Sequence, residues 1–256
     1  MSLPWLEGIL LVCGMVSLAI AGTLLSRRWI GLDVLKFNNE VAGFIYAVVG
    51  VVYAVLLGLS AIIVWEQYDK ARAIVEQEAN ELADLYRDAQ TFPDAVRKEL
   101  ESGLRTYTRL VTEKEWPAMA KRRSSPEAQD AYNQLWRTYH RFRPDNEYEK
   151  VWYAESLRRM NQLGDRRRLR LLSSASGVPG VMWGVLLGAG VVTISYSFFF
   201  GTRSTAAQVL MAVGVALTIA LVLLAVLAMH HPFSGITRVE PEAFNRILEI
   251  FGDEPR

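Results

Sequence analysis

Four stretches of the chain are almost entirely apolar: residues 5–25, 41–64, 178–200 and 207–228. Glu7, near the start of the first stretch, is the one charged side chain within them. Each stretch holds 21 to 24 residues, enough for an α-helix rising 1.5 Å per residue to cross a hydrocarbon layer of about 30 Å. Helices in soluble cores seldom contain more than ~14 apolar residues in succession. The pattern predicts an all-α integral membrane protein with four transmembrane helices.

Charged residues concentrate between the second and third stretches. Residues 65–177 carry 21 Lys/Arg and 19 Asp/Glu, out of 28 Lys/Arg and 27 Asp/Glu in the whole chain. We therefore expect transmembrane helices 1 and 2 in 1–64, a helical cytoplasmic segment in 65–177, transmembrane helices 3 and 4 in 178–228, and a cytoplasmic C-terminal tail in 229–256. The near balance of charge excludes a nucleic-acid-binding surface, which would be strongly basic.

Basic residues near the span ends predict the orientation. Ten lie on the face that holds both termini and residues 65–177, and four lie on the opposite face. The positive-inside rule therefore places both termini and 65–177 in the cytoplasm. Arg27 and Arg28 argue against this orientation, because they follow the first span and no basic residue precedes it. A cleaved signal peptide begins with basic residues and has a short apolar region. No Lys or Arg precedes the first stretch, and the stretch is long, so we expect a retained helix.

The second span is predicted to continue into the polar segment as one helix to about residue 90. Tyr68, Val75, Leu82 and Ala89 recur at intervals of seven, with Glu78 inside the same stripe. This spacing suits packing against another helix, either within its own bundle or in a coiled coil.

Two later segments carry helix signals of their own. Ser125-Pro126-Glu127 combines a capping residue, a proline in the first turn and an acid at the positive end of the helix dipole. Another helix is predicted from near Asp145, with Tyr148, Val151, Trp152 and Met160 buried. It ends in an arginine-rich run, 166–170, which is typical of the phospholipid headgroup level; a specific anionic ligand is the alternative.

Small residues recur at steps of three and four along the second and third spans. Such stripes let helix backbones approach closely in lipid, where packing drives association. We interpret them as helix-packing faces, used either within one subunit or between subunits. The glycines concerned are Gly43, Gly50, Gly58, Gly180, Gly184 and Gly188.

A second line on the second span carries three hydroxyl groups, which would lack hydrogen-bond partners if they faced lipid. A water-filled path or a seam between helices suits these groups better, and the apolar members of the line would close such a path by dewetting. The predicted pore-lining residues are Tyr46, Val49, Tyr53, Leu56, Ser60 and Ile63.

The sequence shows no spacing that predicts a catalytic, metal or cofactor site. Cys13 is the single cysteine and lies in the first span. His230 and His231 follow the fourth span, but adjacent helical residues point about 100° apart and cannot form one bidentate site. We therefore expect neither an enzyme nor a bound cofactor.

Several short motifs, in this order along the chain, resemble the bestrophin-like domain family of bacterial membrane proteins. They are 39–44 at the start of the second span, 65–69 at its end, 115–119 and 167–172 in the polar segment, and 232–235 and 239–244 near the end. Their most distinctive residues are Glu40, Trp65, Glu66, Trp116, Pro117, Pro232, Phe233, Gly235 and Pro241.

This resemblance extends more distantly to bestrophins and implies a homopentameric anion channel. Its second span would line the pore, its termini would be cytoplasmic, and a bacterial inner (plasma) membrane would hold it. Chloride or another small anion would be the permeating partner, with the lipid bilayer and other copies of the chain as the remaining partners. The calcium-clasping acidic run of bestrophins is absent, because Ile236-Thr237-Arg238 stand in its place.

Two functions of different classes remain open. In the first, the chain forms a homo-oligomeric channel with a continuous axial path along the second span. In the second, it is a non-conducting membrane scaffold or signal relay, in which the long helix carries a conformational change to the polar segment.

Overall fold

The computed structural model describes residues 4–37 and 39–252. Within these residues every regular element is a helix. A π-helical turn, Val111–Glu115, and a 3₁₀ turn, Ser197–Phe199, accompany the α-helices. These are α1 (Pro4–Ile30), α2 (Leu32–Phe37), α3 (Asn39–Ala89), α4 (Asp94–Leu110), α5 (Trp116–Met119), α6 (Pro126–Arg141), α7 (Glu147–Ala175), α8 (Gly180–Tyr196), α9 (Thr205–Met229) and α10 (Glu242–Ile250).

The four predicted spans are confirmed as helices long and apolar enough to cross a membrane. They lie at Trp5–Ile30, within Asn39–Ala89, at Gly180–Phe199 and at Thr205–Met229. The predicted continuation of the second span is also confirmed, since α3 is one helix of 51 residues, about 75 Å long at 1.5 Å per residue. It ends shortly before Pro93, because the residue preceding a proline disfavours helical backbone.

The chain divides into two compact units. The first, here called the membrane unit, comprises residues up to 66 together with 177–230. The second, here called the charged unit, comprises 67–176 and the residues from 231 onward. The membrane unit has a core drawn from α1, α3, α8 and α9, with Met15, Tyr53, Leu186, Ala216 and Leu223 among its buried members.

The charged unit has its own apolar core, and the C-terminal segment belongs to it. Phe233, Val239 and Phe244 are buried there beside side chains of α3, α4, α6 and α7. The region expected to be a tail therefore completes a folded core. The predicted start of α6 is confirmed: the Ser125 hydroxyl accepts a hydrogen bond from the Ala128 N–H at 3.2 Å.

The helix predicted to start near Asp145 is α7, which begins at Glu147. Its buried face differs from the prediction. The Asn146 side chain caps α7 by accepting a hydrogen bond from the Glu149 N–H at 2.9 Å. Tyr148 and Val151 are exposed, at 61% and 65%. These two exposed residues lie on the first two turns of α7, and the first residue that α7 buries is Ser156. Trp152 is half-buried, and Met160 is buried as predicted. The residues α7 buries are Ser156, Met160, Leu163, Gly164, Arg167, Arg170 and Ser174.

Candidate functional site in the second span and the charged unit

Two of the three hydroxyl groups on the predicted pore line of α3, those of Tyr53 and Ser60, are hydrogen-bonded within the subunit. Tyr53 is buried, and its hydroxyl donates to the Leu186 carbonyl of α8 at 3.2 Å. Ser60 is buried as well and donates to the Leu56 carbonyl of its own helix at 2.8 Å. These two hydroxyl groups therefore do not require a water-filled path. The structure places Tyr46, Val49 and Leu56 at half-buried positions and leaves Ile63 exposed.

A different face of α3 points away from the membrane unit. Its members follow steps of four and three, which trace one side of a helix, and each is a large aliphatic side chain that is more than two-fifths exposed. We call this set the outer stripe of α3. It consists of Val41, Ile45, Val48, Val52, Val55, Leu59 and Ile62.

On the side of α3 that carries Tyr46 and Tyr53, α3 and α9 border an apolar groove of about 720 Å³. Gly50, Ala54 and Gly58 line it from α3, and Gly214 and Thr218 line it from α9. Small side chains leave the groove wide, so it offers an apolar surface on which another helix or a lipid chain fits.

Most of the predicted packing glycines make no close contact within the subunit. A Cβ atom added at Gly50, Gly58, Gly180, Gly184 or Gly188 would meet nothing within 4 Å. The sixth, Gly43, would meet the Phe200 ring at 3.7 Å, an ordinary contact. Packing within one subunit therefore does not account for the other five, and contact between subunits stays a prediction.

The glycines at close contacts lie elsewhere. An added Cβ at Gly190 of α8 would lie 2.9 Å from the Tyr53 hydroxyl, and one at Gly201 would lie 2.9 Å from the Lys36 backbone nitrogen. Gly201 also exchanges two hydrogen bonds of 2.9 Å with the Asn39 amide. Spacing could not reveal these positions, because they depend on how separate elements meet.

Arg27 also has a structural role within the membrane unit. Its guanidinium donates to the Thr202 carbonyl at 2.9 Å and to the Gln208 amide oxygen at 2.8 Å. Gln208 is a buried polar residue of α9. A buried amide needs partners, since an unsatisfied polar group in apolar surroundings is costly. Arg27 therefore has a structural role, whereas Arg28 is exposed, and the orientation stays a prediction.

In the charged unit, Arg170 lies at the centre of a fully buried ion cluster. Its Nε donates to Glu78 Oε2 at 2.6 Å, and its Nη2 donates to Glu115 Oε2 at 2.8 Å. Arg167 donates to Glu115 Oε1 at 2.6 Å, and the Tyr107 hydroxyl donates to Glu78 Oε1 at 2.8 Å. Two carboxylates and two guanidiniums thus neutralise one another, as buried charges require.

The interpretation of the arginine run as a headgroup cluster was wrong for two of its members. Arg167 and Arg170 are buried, and only Arg166 and Arg168 remain at least partly exposed. Desolvation opposes ionisation of Glu115, yet Arg170 and Arg167 outweigh it and hold the pKa of that carboxyl below 4.5. Glu78 lies within the seven-residue repeat that runs from Tyr68 to Ala89. A carboxylate in this otherwise apolar repeat was the one sequence signal for a buried cationic partner.

Several of the family-motif residues form an aromatic wall around Arg170. The guanidinium carbon lies 5.4 Å from the Trp116 ring centroid and 5.6 Å from that of Phe244, within the range of cation–π attraction. The Trp116 ring is 5.7 Å from that of Phe233, and its Nε1 donates to the Val239 carbonyl at 3.1 Å.

The remaining motif residues shape turns or lie on the surface. The Pro232 carbonyl accepts from the Val239 N–H at 2.7 Å, the Gly235 N–H donates to the His231 carbonyl at 3.1 Å, and Pro241 precedes the first turn of α10. The surface residues are Glu40, Trp65, Glu66 and Pro117.

A second ion cluster joins α3 to α7 nearer the far end of α3. The Arg159 guanidinium pairs with Asp84, with Asp88 at 3.1 Å and with Glu155 at 3.1 Å. Burial raises the pKa of the Asp88 carboxyl, with Arg159 opposing the shift. Among residues 4–37 and 39–252, no three imidazole, thiol or carboxylate groups are placed to hold a metal ion.

Comparison with known proteins decides the family. The sequence profile of the bestrophin-like domain matches residues 13–244. The chain belongs to the bestrophin-like family. A search of curated proteins finds no match to this bestrophin-like chain.

Solved structures show the same fold. A mutant of a bacterial bestrophin homologue from Klebsiella pneumoniae superposes with a TM-score of 0.72 at 13% identity, covering 96% of this chain and 100% of that one. The homologue solved by zinc anomalous phasing gives 0.71 at 13% identity, with 96% and 99% covered. A structure described as a membrane protein variant gives 0.71 at 12% identity with the same coverage. The bestrophin-like fold therefore extends over nearly the whole chain.

Proposed function

We propose that this chain is one subunit of a homo-oligomeric membrane channel whose second span lines the permeation path. The observation that carries the proposal is the outer stripe of α3, which a single subunit leaves uncovered although it runs the length of the span. Copies arranged around an axis would bring their stripes together around a narrow apolar path. Such a path closes by dewetting and opens when it widens or becomes wet.

Assembly is supported by the glycines that contact nothing within the subunit. Gly50 and Gly58 border the groove of α3, and Gly184 lies on the side of α8 where an added Cβ meets open space. Close helix approach in lipid favours such surfaces. Because these positions touch nothing inside the subunit, Gly50→Leu combined with Gly184→Leu should dissociate the assembly while leaving the subunit folded. If native mass measurement shows an unchanged oligomer, neither the α3 face at Gly50 nor the α8 face at Gly184 lies in the interface between subunits.

We propose anions as the preferred ions on the strength of the family resemblance. The stripe carries no charge, so it supplies no permanent selectivity ring of its own. Arg167 and Arg170 are buried, so they do not concentrate anions at a mouth of the path. Placement in a bacterial inner membrane, with both termini and 65–177 in the cytoplasm, belongs to the same proposal. A cysteine at exposed Ser124, in a Cys13→Ser protein, should then resist an impermeant thiol reagent in intact cells.

The decisive experiment is chloride flux from liposomes. Leu59→Ala enlarges the path at the outer stripe and should raise the flux above that of the wild type. Leu210→Ala is the matched control, because this leucine is equally apolar and is exposed on α9 instead. Equal flux in the two variants would show that the outer stripe does not line the permeation path. Flux equal to that of empty liposomes, from folded wild type and Leu59→Ala, would favour the scaffold.

The scaffold or relay function has one observation in its favour. The helix that forms the second span continues without interruption to the buried Glu78 of the charged unit. A change in the ion cluster around Glu78 would act on a residue of the same helix. This arrangement serves a relay as well as it serves a channel gate, so flux alone separates the two functions.

A further inference from the structure

His231 is the first residue of the charged unit after the fourth span, and its ring joins two distant parts of that unit. Its Nδ1 lies 3.0 Å from the carbonyl oxygen of Ser176, the last residue of the charged unit before the third span. Its Nε2 contacts Nη2 of Arg122, in the turn between α5 and α6. The imidazole thus holds together the points where the chain leaves and re-enters this unit.

These two contacts fix the protonation state of the ring. A carbonyl oxygen only accepts hydrogen bonds, and a guanidinium only donates them. Nδ1 must therefore carry the proton and donate to Ser176, while unprotonated Nε2 accepts from Arg122. A proton added at Nε2 would set two donors and two positive charges against each other. Of these two partners, the neutral ring satisfies both, and the cationic ring satisfies only Ser176.

The positive charge of Arg122 reinforces this preference. Lys121 and Arg123 flank Arg122 in the chain, and residues 171–176 at the end of α7 carry no charge. The nearest carboxylate in the sequence of the C-terminal segment, Glu240, is paired with Arg238 at 2.6 Å. Burial and the Arg122 charge together hold the pKa of His231 below 6.5, although the hydrogen bond to Ser176 opposes them.

The arginine is itself held in an uncommon conformation. Arg122 has a positive φ of 57°, the left-handed region that non-glycine residues seldom adopt. Its N–H donates to the Met119 carbonyl at 2.8 Å. On the other side, the His231 carbonyl accepts from the Ser234 N–H at 3.2 Å, so the ring is anchored to the turn that follows.

We propose that His231 is a proton-operated latch. In the neutral state the ring ties the turn at Arg122 to the end of α7 at Ser176. Protonation of Nε2 breaks the contact with Arg122 and frees the 120–125 turn from the C-terminal segment. The latch is complete near pH 7 and above, and it opens as the pH falls below 6.5, the ordinary histidine value. The latch makes the charged unit sensitive to acid, whether or not the chain conducts ions.

The test measures a distance inside the charged unit and does not depend on conduction. Spin labels at Ser124 and Thr237, both exposed, are introduced into the full-length Cys13→Ser protein. The distance distribution should be narrow at pH 8 and gain a longer component at acidic pH. Because one proton operates the latch, the ratio of open to closed should change about tenfold per pH unit below the transition.

The other two histidines of the chain, His140 and His230, provide matched controls. His231→Gln should abolish the pH-dependent component, whereas His140→Gln and His230→Gln should retain it. Persistence of the same transition in His231→Gln, or a wild-type distribution that does not change with pH, would overturn the proposal.

A second measurement guards against misfolding of the variant. In isotope-labelled wild-type protein, NMR of the His231 ring should show the Nδ1–H tautomer and a titration below 6.5. An Nε2–H tautomer, or a titration at or above 6.5, would contradict the latch. If the latch behaves as expected but the flux equals that of empty liposomes, the channel proposal is refuted and the latch proposal stands.

Discussion

Replacing Arg170 by methionine should destabilise the protein far more than any comparable change on the same helix. Methionine keeps much of the length of the side chain and removes its charge. Glu78 would then retain only the Tyr107 hydroxyl as a described polar partner, and Glu115 would retain Arg167. Removing one partner of a buried ion pair costs about 3–5 kcal/mol, since the remaining charge stays buried and unpaired.

Arg168→Met is the matched control, two residues away on α7. Arg168 pairs with Asp165 three residues before it, and both side chains are mostly exposed. An exposed pair of this kind contributes at most ~0.5 kcal/mol. The two variants remove the same charge from the same helix, so burial is the main difference between them.

The assay is thermal unfolding of the detergent-solubilised protein. In a chain of this size each kcal/mol shifts the midpoint by about 2–4 °C. Arg170→Met should therefore lower the midpoint by roughly 10 °C, and Arg168→Met should lower it by at most about 2 °C. Adding Glu78→Gln to Arg170→Met should restore part of the loss, because the unpaired buried charge is gone. Equal midpoints for the two arginine variants would refute the assignment of Arg170 as a buried structural charge.

Two further predictions follow from the same structure. Gly190→Ala should lower the unfolding midpoint, since the added Cβ would lie 2.9 Å from the Tyr53 hydroxyl and overpacking costs about 1–3 kcal/mol. Gly188→Ala, on the same helix but facing open space, should not lower it. A lower midpoint for Gly188→Ala than for Gly190→Ala would contradict the close contact. Because its pKa is held below 4.5 in the folded state, Glu115 stabilises the protein above that pH and loses this contribution as the pH falls through the lowered value. Unfolding midpoints between pH 7 and 3 should therefore fall more steeply for the wild type than for Glu115→Gln, and parallel curves would show that the carboxylate contributes nothing.

The secondary structure was largely predictable because local signals determine it. Run length alone identified the four spans, and Ser125-Pro126-Glu127 located the start of α6. The continuity of α3 followed from the lack of any helix-breaking residue after Ile63. These features depend on neighbours within a few positions, which a single sequence shows directly.

The candidate site was less predictable because its contacts join residues far apart in the chain. Arg170 meets a partner 92 residues away, and nothing local distinguishes it from exposed Arg168. The prediction that Tyr53 lines a pore assumed a hydroxyl group without a partner in the subunit. The structure gives that hydroxyl a partner, the Leu186 carbonyl, and the pore-lining role stays a prediction. Gly190, which lacks a Cβ, leaves room for that hydroxyl, whereas Gly188 on the same helix has no such neighbour.

The contribution of the C-terminal segment to the charged unit constrains how the protein is made. Glu78 and Arg170 are synthesised before the third span, whereas Phe244, which covers the arginine, follows the fourth. The cover over the ion cluster can therefore form only after the third and fourth spans have been synthesised. The charged unit is thus complete only in a chain that contains all four spans, and a chain truncated before Phe233 would lack the aromatic side chains that cover Arg170 and Trp116.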